Sequence, residues 1–119
     1  MKKHILFSLI LITCTVMVCS CALLRQPLDG MSGFSRHLKE TENHIRKEEW
    51  KEAAINLRKA TQSWYRIKPF LQVDIDHDYV NNIEADFIRL RSNIETTQKA
   101  DSLTAILLIQ DNWKHIGSM

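Results

Sequence analysis

The residues best suited to chemistry lie in one short run, Asp74-Ile75-Asp76-His77-Asp78. Alternating carboxylates of this kind open a calcium-binding loop, where oxygen ligands come from every second position. The copy then stops. The sixth loop position needs glycine for its sharp turn and is Tyr79; the twelfth needs a bidentate glutamate and is Ala85, with Glu84 one step early. A transition-metal version would use His77 with Asp74 or Asp78, and Asn81 or Glu84 one and two turns further along a helix. One imidazole makes a poor site, and acidic residues ahead of a helix have an ordinary structural role, capping its free amides and complementing the positive end of its dipole. Asp74, His77 and Asp78 are the metal candidates, with helix capping as the stronger competing explanation.

The remaining histidines are dispersed. His37 and His44 are seven residues apart on one helical segment and His115 lies near the C-terminus, none within a tight ligand motif. No Ser, Cys or carboxylate is visibly paired with a base, so nucleophilic catalysis has no candidate triad and the chain reads as non-enzymatic, without a cofactor. Trp50, Trp64 and Trp113 could form a stacking platform, but each falls on the inward stripe of its helix. Core packing, with each indole N–H near a polar group, is the expectation.

Positioning these side chains falls to helices. Between Phe34 and Ile116 there is no glycine and one proline, Pro69, so little interrupts helix for more than eighty residues. The fold class expected is all-α: four antiparallel helices as two helical hairpins, a four-helix bundle or a tetratricopeptide-like pair. The first helix places Phe34, Leu38, Thr41 and Ile45 on one face, with Ser32 or Ser35 able to cap it, and ends near Lys47. The second carries Trp50, Ala53, Ala54, Leu57, Ala60, Thr61, Trp64 and Ile67 until Pro69 closes it within a turn. The third sets Val80, Ile83, Phe87, Leu90 and Ile94 in a three-four register. The fourth runs from Lys99 to His115 with Leu103, Ile106, Leu107, Gln110 and Trp113 inward. That leaves a second apolar arc, Ala105, Leu108, Ile109 and Ile116, roughly opposite, which would want a partner if it is exposed. A shift of 49 residues lays one hairpin on the other and matches Trp64 with Trp113.

Ahead of the domain stands a leader. Lys2 and Lys3 precede the largely apolar run from Ile5 to Val18, the layout of an export signal. Val18-Cys19-Ser20-Cys21 resembles the end of a bacterial lipoprotein signal, with Cys21 as the lipid attachment site. Residues 1–20 then form the signal, 21–33 a tether holding Pro27, Gly30 and Gly33, and 34–119 the helical domain. The alternative is a retained membrane anchor over residues 5–24, long enough to span. Either way Lys2 and Lys3 keep the amino end inside and the domain faces the extracytoplasmic side.

The charges agree with that placement. The whole chain carries 16 basic and 14 acidic residues, but from residue 21 onward the two are equal, so nothing favours nucleic acid, which demands clustered positive charge. The charge is nevertheless divided. Residues 25–68 hold ten basic and six acidic side chains, and residues 74–119 hold four and eight. Complementary attraction between hairpins, or orientation at a charged surface, would follow from that division. All three cysteines lie in the leader, so the domain has no disulfide framework.

Glu49-Trp50-Lys51-Glu52-Ala53, then Trp64, then Asp76-His77-Asp78 with Ile83-Glu84, Leu90 and Ile94, resembles the small bacterial membrane-anchored proteins of domain-of-unknown-function family 4363. The resemblance spans about residues 34–115. Tyr79 and Val80 depart from the acidic residue and isoleucine expected there, which argues against an acidic ligand cluster. It implies a fold and a location and no settled activity. The functional expectation is an accessory or interaction module at the outer face of a bacterial cell membrane. It would be held by an N-terminal lipid or helix, with another membrane protein or a second copy as partner. The alternative is an extracytoplasmic metal- or ligand-binding domain using Asp74 to Asp78.

Overall fold

The computed structural model describes residues 3–8, 10, 12, 28–72 and 77–116. The signal-like Val18-to-Cys21 sequence, Cys21 itself and Asp74 lie outside them. Helix accounts for nearly all the described residues, and no strand occurs among them. The domain is a helical bundle of α1 (Phe34–Arg46), α2 (Trp50–Leu71), α3 (His77–Glu95) and α4 (Lys99–Ile116). Among the described residues no helix is long and apolar enough to cross a membrane.

The helix ends follow from local chemistry. Gly33, at φ 68, sits immediately before α1 in the left-handed region that glycine adopts without strain. The first free amides of α1 are met from further back: Ser32 Oγ accepts from Phe34 N–H at 3.3 Å and Asp29 Oδ1 from Ser35 N–H at 2.8 Å. The Ser35 hydroxyl is thereby left available to another helix. Pro69 lies inside the last turn of α2, which stops two residues later at Leu71.

The α1–α2 and α3–α4 connections are both three residues long and are built alike. In the first, Glu49 N–H donates to the His44 carbonyl at 2.9 Å and Glu48 N–H to the Ile45 carbonyl at 3.0 Å. The same pair recurs 49 residues later, Gln98 to Asn93 at 2.8 Å and Thr97 to Ile94 at 3.1 Å. This is the Schellman helix stop, which turns on one left-handed residue. Glycine is absent from both. Glu48 at φ 59 and Thr97 at φ 54 occupy that place, and a β-branched side chain there is strained. Thr97→Gly is expected to raise stability by about 1 kcal/mol, because the strain removed exceeds the added freedom of the unfolded chain. Urea denaturation followed by circular dichroism checks this; a loss of stability would refute it.

Contacts are most extensive within α1–α2 and α3–α4, and α1–α4 and α2–α3 complete the ring. Each helix contributes one ring to an aromatic cluster: Phe34, Trp64, Phe87 and Trp113. Phe34 stands 5.6 Å from Trp64, 6.2 Å from Phe87 and 5.0 Å from Trp113, the last edge-on at 84°. Edge-to-face and tilted pairs at these spacings add attraction beyond the area they bury. Leu38, Ile45, Ala60, Ile83 and Leu90 are fully enclosed around the cluster.

One expectation is overturned in α4. Ala105 and Ile109 are wholly buried and Ile116 nearly so, whereas Leu107 and Leu108 are 44% and 41% exposed. The arc expected to seek a partner is therefore core, apart from Leu108. At 100° per residue, Ser102, Ala105, Ile106, Ile109, Trp113 and Ile116 fall within about 100° of the circumference, and Leu107 lies outside it. Trp113, locked against Phe34, sets that orientation, and α4 must meet α1 on one flank and α3 on the other.

Candidate functional site

Of the expected helpers of the candidate metal residues, Glu84 is drawn away to other partners. His77 and Asp78 are exposed at the start of α3, with Asp74 outside the described residues. Tyr79 through Ala85 are helical, so this stretch does not wrap a cation as the second half of a calcium loop does. Glu84 faces inward instead, accepting from Trp64 Nε1 at 3.1 Å and pairing with Lys68 Nζ. His44 Nδ1 pairs with Glu49, and the His115 ring stacks on Tyr79 with centroids 6.5 Å apart. Among the described residues, no group of three or more His, Cys, Asp or Glu is placed to hold a metal.

Glu42 and Glu84 tie helices together. Glu42, on α1, is almost fully enclosed and accepts from Lys39 Nζ at 3.1 Å, Arg46 Nε at 2.9 Å and, across to α4, Gln110 Nε2 at 3.0 Å. Burial alone would raise its pKa, but the bonds from Gln110, Arg46 and Lys39 together prevail and hold it at about 2. A carboxylate held ionised that firmly is an anchor for cations and unsuited to proton transfer near neutral pH. Glu84 follows the same pattern: burial acts to raise its pKa, and the bonds from Lys68 and Trp64 lower it. Asp86 goes the other way, raised by burial despite Arg89 Nη1 at 2.9 Å.

Two of the three indoles, those of Trp64 and Trp113, meet polar partners as expected. Trp113 Nε1 donates to Ser35 Oγ at 2.9 Å, joining the end of α4 to the start of α1. Trp64 and Trp113 are in the core, while Trp50 is half-buried at its edge. Between the first two helices and the last two, Lys68 to Glu84 joins the basic half to the acidic half; Lys99 to Glu48, at 3.7 Å, runs in the opposite sense.

A surface feature unforeseen in the sequence is a groove of about 460 Å³ between α2 and α3. Leu57, Phe87 and Ile94 form its floor, and Tyr65 and Ile88, 60% and 66% exposed, stand on its walls with Arg58 and Arg91. Ile88 was the available signal. It is a large apolar residue off the α3 stripe of Val80, Ile83, Phe87, Leu90 and Ile94, and packing inside the domain gives it no reason to be apolar.

No curated protein and no solved structure matches the chain. The family comparison does: residues 29–119, which include all four helices and both repeated turns, match the family described as Domain of unknown function (DUF4363), and the chain belongs to that family.

Proposed function

We propose that this protein is a non-catalytic helical accessory module, held at the outer face of a bacterial cell membrane and working by binding another protein. The observation that carries the reading is the order of the N-terminal sequence. Lys2-Lys3 leads an apolar run, and that run ends in Val18-Cys19-Ser20-Cys21. Lipidation at Cys21, with more than one acyl chain, gives durable attachment; a retained helix over residues 5–24 is the other form of the same topology. The domain's own chemistry supports a binding role, since Glu42, Glu84 and Ser35 all spend their polar atoms on joining helices.

The arrangement proposed for the domain is two antiparallel hairpins that repeat one unit. Support comes from the two Schellman turns 49 residues apart and from matched buried positions such as Leu38 with Phe87, Ile45 with Ile94 and Trp64 with Trp113. Two measurements test the location. A reporter active only outside the cytoplasm, fused behind Met119, is expected to be active, and mass spectrometry should find a mature chain beginning at lipidated Cys21. A cytosolic reporter signal would overturn the topology. An intact, unmodified amino terminus would assign the anchor to residues 5–24 instead.

A further inference from the structure

We propose that the α2–α3 groove is the docking site of the module, and that its occupant is an acidic amphipathic helix from a partner protein. This rests on the reading of the domain as an interaction module and adds its surface and the chemistry of its partner.

The shape points to a helix. On α2 the lining runs from Ala54 to Tyr65 and on α3 from Glu84 to Glu95, so both walls extend for three turns, about 16 Å. A channel of that length between two parallel ridges, with an apolar floor, accepts side chains spaced at i, i+3 or i+4, and i+7 from one helix laid along it. Ile88 and Tyr65 then become buried flanks of the contact, which accounts for their exposure in the free chain.

The charge points to an acidic occupant. Arg58 rises from the α2 wall and makes no ion pair with any described residue. Arg91 rises from the α3 wall, with its side chain 72% exposed and its nearest carboxylate, Glu95 on the same helix, 3.9 Å away. Glu84, the other acid in the lining, is already engaged by Lys68 and Trp64. With Glu84 engaged by Lys68 and Arg91 facing Glu95, the unbalanced charge in the lining is the forked guanidinium of Arg58 on the α2 wall, suited to a carboxylate flanking an apolar stripe. Beyond the groove α2 carries Lys51, Lys59 and Arg66 against Glu52 alone, which extends the preference over its outer surface.

The internal repeat shows why the groove is open here. Its counterpart, 49 residues displaced, is the α1–α4 seam, where Glu42 occupies the place of Arg91 and Gln110 reaches across to it. In the α2–α3 seam Thr61 takes the place of Gln110 and is too short to bridge to an arginine that turns outward.

The test is a display selection of eighteen-residue amphipathic helical peptides, their polar positions randomised, against the detergent-solubilised full chain. Selected peptides should be rich in Asp and Glu beside the apolar stripe. Their affinity should fall at least tenfold in Ile88→Asp and in Arg58→Glu/Arg91→Glu, with melting temperatures unchanged; Arg91→Glu alone serves if the first two fail to fold. No enrichment, a neutral or basic selection, or binding that persists in the folded variants would overturn the proposal. So would Ile88-dependent binding to vesicles containing phosphatidylglycerol, or an Ile88-dependent dimer, since each assigns the groove another occupant. If a membrane partner is retained by Ile88→Asp, the groove fails and the module stands; if the Met119 reporter is cytosolic, the outward topology fails whatever the peptides do.

Discussion

Trp64→Ala is expected to cost about 3–5 kcal/mol and so to remove a large part of the domain's stability, which for a chain of this size is of the order of 5–10 kcal/mol. The indole is fully enclosed and touches the rings of Phe34, Phe87 and Trp113, one from each of the other helices. Its removal opens a cavity where all four helices converge, so no single helix can move in to fill it without disturbing the rest. Its Nε1 also meets Glu84, whose remaining partner would then be Lys68. Trp64→Phe retains most of the packing and should cost about 1–3 kcal/mol. Trp50, half-buried at the edge, provides the internal comparison: Trp50→Ala should cost far less than Trp64→Ala. Urea denaturation of the three variants, read by far-ultraviolet circular dichroism, checks the order; equal losses for Trp50 and Trp64 would refute the central place given to the aromatic cluster.

Glu42→Ala is expected to destabilise the domain by about 2–3 kcal/mol, since it leaves Gln110 Nε2 without its acceptor in the α1–α4 seam. Lys39 and Arg46 are exposed and can turn to water, which keeps the loss below that of breaking a pair with both partners buried. The same residue predicts an acid response. Its pKa is about 2 in the fold against an ordinary 4.5, so its contribution is complete above pH 4.5 and is lost as the pH falls from there toward 2. Glu84, also lowered, acts in the same sense; Asp86, raised by burial, acts in the opposite one. Glu42→Gln should therefore flatten the stability profile between pH 5 and 2, while Asp86→Asn should not. Denaturant midpoints across that interval decide the matter, and a wild-type slope in Glu42→Gln would show that the acid response comes from elsewhere.

The candidate sites divide according to whether their evidence was local. His77 and Asp78 were visible as a string, and the structure places both at an exposed helix start. The three-turn groove was invisible as a string, because its walls come from two helices whose facing edges are set only when the aromatic cluster closes. Ile88 is visible in the sequence as an apolar residue off the α3 stripe, but the groove it flanks, with Tyr65 on the opposite wall, exists only once the stripes of α2 and α3 are turned inward.

The all-helical class and the ends of the helices were legible in the chain because they depend on neighbours in sequence: the absence of glycine, one proline near the end of α2, and stripes recurring every three or four residues. The register of α4 was not. Leu103, Leu107 and Leu108 leave that helix apolar on nearly every side, so periodicity offers several inward faces of similar merit, and only the lock between Trp113, Phe34 and Ser35 selects one. Tertiary structure likewise decided that Ala105, Ile109 and Ile116 are core and that the open surface lies between α2 and α3. Burial is a property of two elements meeting, and which residues meet is settled by packing across the whole bundle.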